Sequence, residues 1–179
     1  TDPLIPVNYD IARLEDKELC KHALQKRAGL DVNNTPLFGM VCRLTEQKGL
    51  NLLLPILERF LVHKVQVVIV GTGEPGLEER LTDMMQAHPE RLAYLNAHDN
   101  ELAHLVEAGS DFFLMPSLFE PCGLNQMYSL AYGTLPIVRS VGGLRDTVID
   151  YDLQAKRATG FSFQEPEPLA LLSTLRRAL

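Results

Sequence analysis

Met115-Pro116-Ser117-Leu118-Phe119-Glu120-Pro121-Cys122-Gly123-Leu124-Asn125-Gln126 reads as the join between a buried strand and a helix, the unit from which an α/β sheet is built. The run before it, 111–115, is short and bulky, as in a parallel strand buried on both faces. The residues after it, 124–132, have helical character and stop at Gly133. Glu120 therefore stands at the carboxyl end of a strand and just ahead of a helix amino end. In open α/β sheets that is where ligands bind. Pro121 fixes its own φ and pushes Glu120 toward an extended conformation. Gly123 permits close approach to the backbone, and free N–H groups at a helix start suit sugar hydroxyls or phosphates. A plainer reading stays open, in which an acidic side chain near a helix start is stabilised by the macrodipole and nothing more.

Outward from this turn, strand-like and helix-like segments alternate. Helices are predicted over 17–28, 50–61, 77–87, 101–108, 124–132 and 144–149, with a last one from about Pro168. Strands are predicted over 37–42, 65–70, 92–96, 111–115, 135–139 and 160–163. The stretch 65–70 is nearly pure β-branched, as expected of a strand covered on both faces. Pro55 falls inside a predicted helix and implies a kink or a late start. The alternation implies an α/β fold, a doubly wound, Rossmann-like parallel sheet. Residues 1–16, with Pro3 and Pro6, read as a linker, and 17–179 as one domain.

The net charge of −6 over 179 residues argues against nucleic acid as a partner, since a phosphate backbone needs a basic face. No apolar run approaches the roughly 18–20 residues that span a bilayer, so no membrane partner is expected. Cys20, Cys42 and Cys122 make neither a C-x-x-C nor an even disulfide set, which points to a reduced, cytoplasmic protein. Cys42 reads as core. Cys122 reads as pocket lining, because nothing near it in sequence supplies a base. His22, His63, His88, His98 and His104 show no metal-ligand spacing, so no metal is expected. Asp150-Tyr151-Asp152 has the form of a metal-holding D-x-D, but its place before a polar loop favours a solvated turn.

Two further stretches bear on ligands. Gly71-Thr72-Gly73-Glu74-Pro75-Gly76 fits G-x-G-x-x-G after a strand, with Asp99 downstream as a candidate ribose ligand. It follows the second strand, however, and Pro75 stiffens the loop where a pyrophosphate would sit. A glycine turn lining the same crevice is the better reading. Arg43 and Lys48 follow the first strand, where a planar fork and a point charge are suited to clamp a diphosphate. By spacing alone they are equally two solvated charges.

The string Phe119–Tyr128 (F-E-P-C-G-L-N-Q-M-Y) resembles the signature of bacterial and plant glycogen and starch synthases. Arg43-Leu44-Thr45-Glu46-Gln47-Lys48-Gly49 agrees, as do Tyr132-Gly133-Thr134 and Gly142-Gly143-Leu144-Arg145-Asp146-Thr147-Val148, all in the family's order. The resemblance implies the carboxyl-terminal, donor-binding half of a GT-B glycosyltransferase. Such an enzyme moves glucose from ADP-glucose to the non-reducing end of an α-1,4-glucan, with retention and without a metal, in the cytoplasm or a plastid stroma. It implies that Arg43 and Lys48 neutralise the departing diphosphate. Glu120, with the backbone N–H groups of Cys122, Gly123 and Leu124, would hold the sugar. Gly71, Thr72, Gly73, His98 and Tyr128 would line the nucleotide site. His98 stands where close relatives place a Tyr against the adenine, and Tyr128 where many retaining transferases carry a second Glu. The acceptor would be met through an amino-terminal domain with no counterpart here, so the fragment alone is expected to be inactive. The alternatives are a nucleotide-sugar hydrolase or epimerase of similar build, and a stand-alone nucleotide- or nucleotide-sugar-binding module.

Overall fold

Continuous apolar runs form the strands of one parallel sheet. The structure, a computed structural model, describes residues 1–151 and 156–179. Strands β1 (Leu37–Val41), β2 (Gln66–Val70), β3 (Leu92–Leu95), β4 (Phe112–Met115), β5 (Leu135–Arg139) and β6 (Phe161–Phe163) lie in the order β3-β2-β1-β4-β5-β6. Every pairing among them is parallel, with Met40 beside Ile69, Val68 beside Ala93 and Leu114 beside Ile137. Helices α1 (Lys17–Ala28), α2 (Leu50–Leu61), α3 (Pro75–Ala87), α4 (Asn100–Gly109), α5 (Asn125–Ala131), α6 (Gly142–Thr147) and α7 (Pro168–Arg177) supply the layers on either side.

The period-2 alternation of side chains divides β2 between two cores. Val67 and Ile69 pack with Leu53, Leu57, Leu81 and Leu171 from α2, α3 and α7. Val68 and Val70 pack with Leu24, Val106 and Leu144 from α1, α4 and α6. The sheet is therefore doubly wound, as the sequence implied. From β1 the chain steps outward through β2 to β3, then returns to β4 and steps the other way. The carboxyl ends of β1 and β4 flank the reversal point, where a crevice opens between diverging loops.

Three local expectations change. Pro55 neither delays nor breaks α2, which runs from Leu50 to Leu61; the ring faces solvent, and the lost donor is one N–H near the helix start. Pro75 does not stiffen a loop but occupies the first turn of α3, where its missing N–H has no helical partner to lose. Asp150 is not a solvated turn residue: its carboxylate accepts from the Ser162 hydroxyl at 2.8 Å and pairs with Arg177 at 2.7 Å, tying β6 to α7. Asp152, the other carboxylate of the D-x-D reading, lies outside the described residues.

The segment expected to be a linker is docked on the domain. Ile5 is buried with Cys20 and Ala108, and the Tyr9 hydroxyl donates to the carbonyls of Ala108 and Tyr132. Asp2 is bonded to His104 and Tyr132. Burial opposes its charge, but those hydrogen bonds win and hold its carboxyl down to about 2. Nearby on α4, burial pushes the Glu107 carboxyl up to about 7, with His104 opposing and Asp2 reinforcing the rise. An unfolded chain ionises this group near 4.5, so between those values the fold holds a proton that the unfolded chain has lost. Stability therefore falls as pH rises through that window. Glu107→Gln should flatten the fall and raise the melting midpoint at about pH 8 more than at about pH 5. Equal melting shifts at both pH values would contradict it.

Candidate active site

The loop after β1 runs on beside the turn after β2. Cys42 donates its N–H to the Val70 carbonyl at 3.1 Å, Leu44 to Thr72 at 2.9 Å, and Glu74 returns one to Leu44 at 2.9 Å. A Cβ at Gly71 or Gly73 would overlap the carbonyl oxygen of Cys42 or Leu44, so the glycines are there to let two backbones touch. Leu44 is fully buried by this contact, and Arg43 beside it is left pointing to solvent on an anchored backbone. Among the described residues Arg43 has no ion-pair partner.

The loop after β4 is held from two sides. The Leu118 N–H donates to the Gln47 carbonyl at 2.9 Å, joining it to the β1 loop. On the far side Gly143 donates its N–H to the carbonyls of Glu120 and Pro121 at 3.1 and 3.2 Å. Gly142 and Gly143 lie so close that a Cβ on either would overlap the Glu120 or Cys122 carbonyl. The Gln126 amide, fully buried, donates to the Gly123 carbonyl and to the Thr147 hydroxyl, both at 3.1 Å. Glu120 is thereby kept in place with 9% of its surface exposed. Its Oε2 accepts from Lys48 Nζ at 2.7 Å and from Ser117 Oγ at 3.2 Å.

Two cavities open between these loops. The larger, about 500 Å³, is bounded by Thr72, His98 and Asp99, and the smaller, about 270 Å³, by Lys48, Glu120 and Asn125. Val41, Cys42 and Arg43 form the wall common to both. Burial pushes the Cys42 thiol up to about 12, so it is an inert protonated wall and not a nucleophile. No carbonyl or side chain among the described residues accepts from the N–H groups of Cys122, Gly123 or Leu124. The smaller cavity thus combines a carboxylate, cations and free backbone donors, a set that matches a polyhydroxylated, anionic ligand.

Residues 23–179 match the family model described as glycosyl transferases group 1. The chain belongs to that family. Among its relatives are a glycogen synthase from Aeromonas salmonicida (strain A449), 61% identical over 99% of this chain, and one from Vibrio atlanticus (strain LGP32), 56% identical over 100% of it. The chain spans 37% and 38% of their lengths. The solved catalytic domain of starch synthase IV from Arabidopsis thaliana, bound to ADP and acarbose, superposes with a TM-score of 0.91. That match has 35% identity and covers 99% of this chain and 38% of the other. The fold is the Rossmann-like unit of a GT-B glycosyltransferase.

In this member of the family the residues singled out in the sequence fall into three sets. Arg43, Lys48, Glu120, Gly123 and Leu124 meet at the smaller cavity, and Arg43, Gly71, Thr72 and His98 at the larger. Lys48 is not a free cation but the partner of Glu120. Gly73, Cys122 and Tyr128 line neither cavity. Gly73 is spent on the Leu44 carbonyl, the exposed Cys122 turns its own carbonyl to Gly143, and Tyr128 sits on α5 with 49% of its surface exposed. Asp99 caps α4 by accepting from the Leu102 N–H at 3.2 Å, which accounts for its place without a ribose. Ser117, Asn125 and Cys42 also line the smaller cavity, roles that the sequence pattern does not single out. For Ser117 the available signal was a small hydroxyl three residues before Glu120, within reach of its carboxylate only if the loop doubles back.

Proposed function

We propose that this chain is the carboxyl-terminal, donor-binding domain of a retaining glycogen or starch synthase, which moves glucose from ADP-glucose to the non-reducing end of an α-1,4-glucan. The carrying observation is Arg43, a cation without a partner among the described residues, standing on the wall between the two cavities. A nucleoside in the larger cavity and a hexose in the smaller would put the linking diphosphate against its guanidinium. Arg43 then binds the diphosphate through its fork, and Lys48 adds charge from the Glu120 side. As the glycosidic bond to phosphate breaks, negative charge grows on the leaving group. Fixed cations at that point favour the transition state over the bound donor. The diphosphate charge is assigned to side chains, with no metal ion in the scheme. Glu120 and the N–H groups of Gly123 and Leu124 hold the sugar hydroxyls and so orient the anomeric carbon.

The acceptor is assigned to the amino-terminal half of such an enzyme. Phe119, Leu124, Met127 and Tyr128 support this, since four apolar side chains of the segment that follows β4 are each roughly half exposed or more and would be covered by such a half. The three free cysteines fit a reducing, cytoplasmic setting. The test is calorimetric titration with ADP, UDP and NAD in parallel. ADP is expected to bind and NAD not to, and Arg43→Ala should weaken ADP about tenfold or more, the loss of a charge-assisted hydrogen bond. Unchanged ADP affinity in a folded Arg43→Ala variant would overturn the clamp, and NAD binding in place of ADP would overturn the donor assignment.

A further inference from the structure

Glu120 presents its two carboxylate oxygens to different surroundings. Oε2 accepts from both Lys48 and Ser117, at 2.7 and 3.2 Å. Oε1 has no partner among the described residues, although the residue lines the smaller cavity. A carboxylate with one donor can rotate about its last torsion and offer either oxygen, because that sp² torsion is broad. Two donors arriving from different elements, a lysine after β1 and a serine after β4, define both the plane and the occupied oxygen. Ser117 is suited to this. It is 2% exposed, follows Pro116, and precedes Leu118, whose N–H is tied to Gln47.

We infer that Ser117 is a positioning residue for glucosyl transfer. Together with Lys48 it holds Oε2 of Glu120, and so reserves Oε1 as the acceptor for a hydroxyl of the donor sugar. The inference rests on the donor-domain reading and adds to it a residue that acts through Glu120. Loss of the Ser117 hydroxyl leaves the nucleotide contacts alone and loosens the oxygen that reads the sugar. The sensitive quantity is therefore the preference for ADP-glucose over ADP, which a general weakening of the fold would not change.

The experiment uses the full-length protein and Ser117→Ala, with Ser117→Cys as a variant of near-equal volume and far weaker donor strength. Affinities for ADP and ADP-glucose are measured by calorimetry, and kcat and KM by transfer of labelled glucose to a glucan primer. ADP affinity should stay at the wild-type value. The preference for ADP-glucose should fall about tenfold and kcat by a similar factor, the scale of a hydrogen bond to a charged group. If Ser117→Ala loses its fold, Ser117→Cys carries the same expectation. A wild-type preference and kcat in a folded variant, or equal losses for ADP and ADP-glucose, would overturn the role of Ser117 while the donor-domain reading stands. Failure of the unmodified protein to bind either ligand would sink both.

Discussion

Gly143→Ala is expected to lower glucosyl transfer about a hundredfold or more while ADP binding changes little. The Gly143 N–H donates to the carbonyls of Glu120 and Pro121, and the added Cβ would overlap the Cys122 carbonyl oxygen and crowd its carbon and Cα. Those are backbone atoms, which have no rotamer to retreat into, so either α6 or the loop carrying Glu120 must move. A displacement of about 1 Å at a positioning group costs roughly a hundredfold in rate. Overpacking of this kind also destabilises by about 1–3 kcal/mol. Arg43, proposed to bind the diphosphate, sits on a different loop, braced by Leu44 and Thr72, so nucleotide affinity should survive. Full-length enzyme carrying the substitution would be assayed with labelled ADP-glucose and a glucan primer, beside an ADP titration. Wild-type transfer would show that the glycine pair does not hold the Glu120 loop.

Lys48→Met should destabilise the fold more than the double change Lys48→Met/Glu120→Gln. The pair is mostly withdrawn from water, with side-chain exposures of 24% for Lys48 and 11% for Glu120. Removing one partner of such a pair strands the other charge, at about 3–5 kcal/mol for full burial. The residual exposure here and the remaining Ser117 donor place the expected loss nearer the lower figure. Replacing both charges removes the stranded carboxylate, and much of the stability should return. Transfer should stay very low in both variants, since neither keeps the Glu120 geometry. Denaturation midpoints and a double-mutant cycle would check this, and additive losses of stability would mean that the two groups do not interact.

Much of the architecture is written locally. The run Gln66–Val70 alternates between two apolar faces, which already demands a sheet covered on both sides. Gly29, in the left-handed region at φ 72, ends α1 where its position after the last helical residue said it would. Glu120 is readable as a candidate site residue because strand, Pro121 and helix start are neighbours in the chain. Each of these signals concerns a residue and the few beside it.

Only the tertiary structure decided what stands next to what. The order β3-β2-β1-β4-β5-β6 brings the ends of β1 and β4 together, and with them Lys48 and Glu120, which are 72 residues apart. No local pattern marks that pair, so spacing alone left Lys48 open between a diphosphate clamp and a solvated charge, with Glu120 as its partner not foreseen. Two other neighbours in that order, β1 beside β2 and β4 beside β5, place Gly73 against the Leu44 carbonyl and Gly143 against the Cys122 carbonyl. Tyr128 likewise stands outside both cavities, because the turn of α5 that buries Gln126 and Ser129 leaves it exposed. Periodicity and turn chemistry report a residue's own surroundings, whereas strand order and loop-to-loop contact are properties of the closed chain. The residue types at the site were therefore legible in the sequence, and their partnerships were settled by the fold.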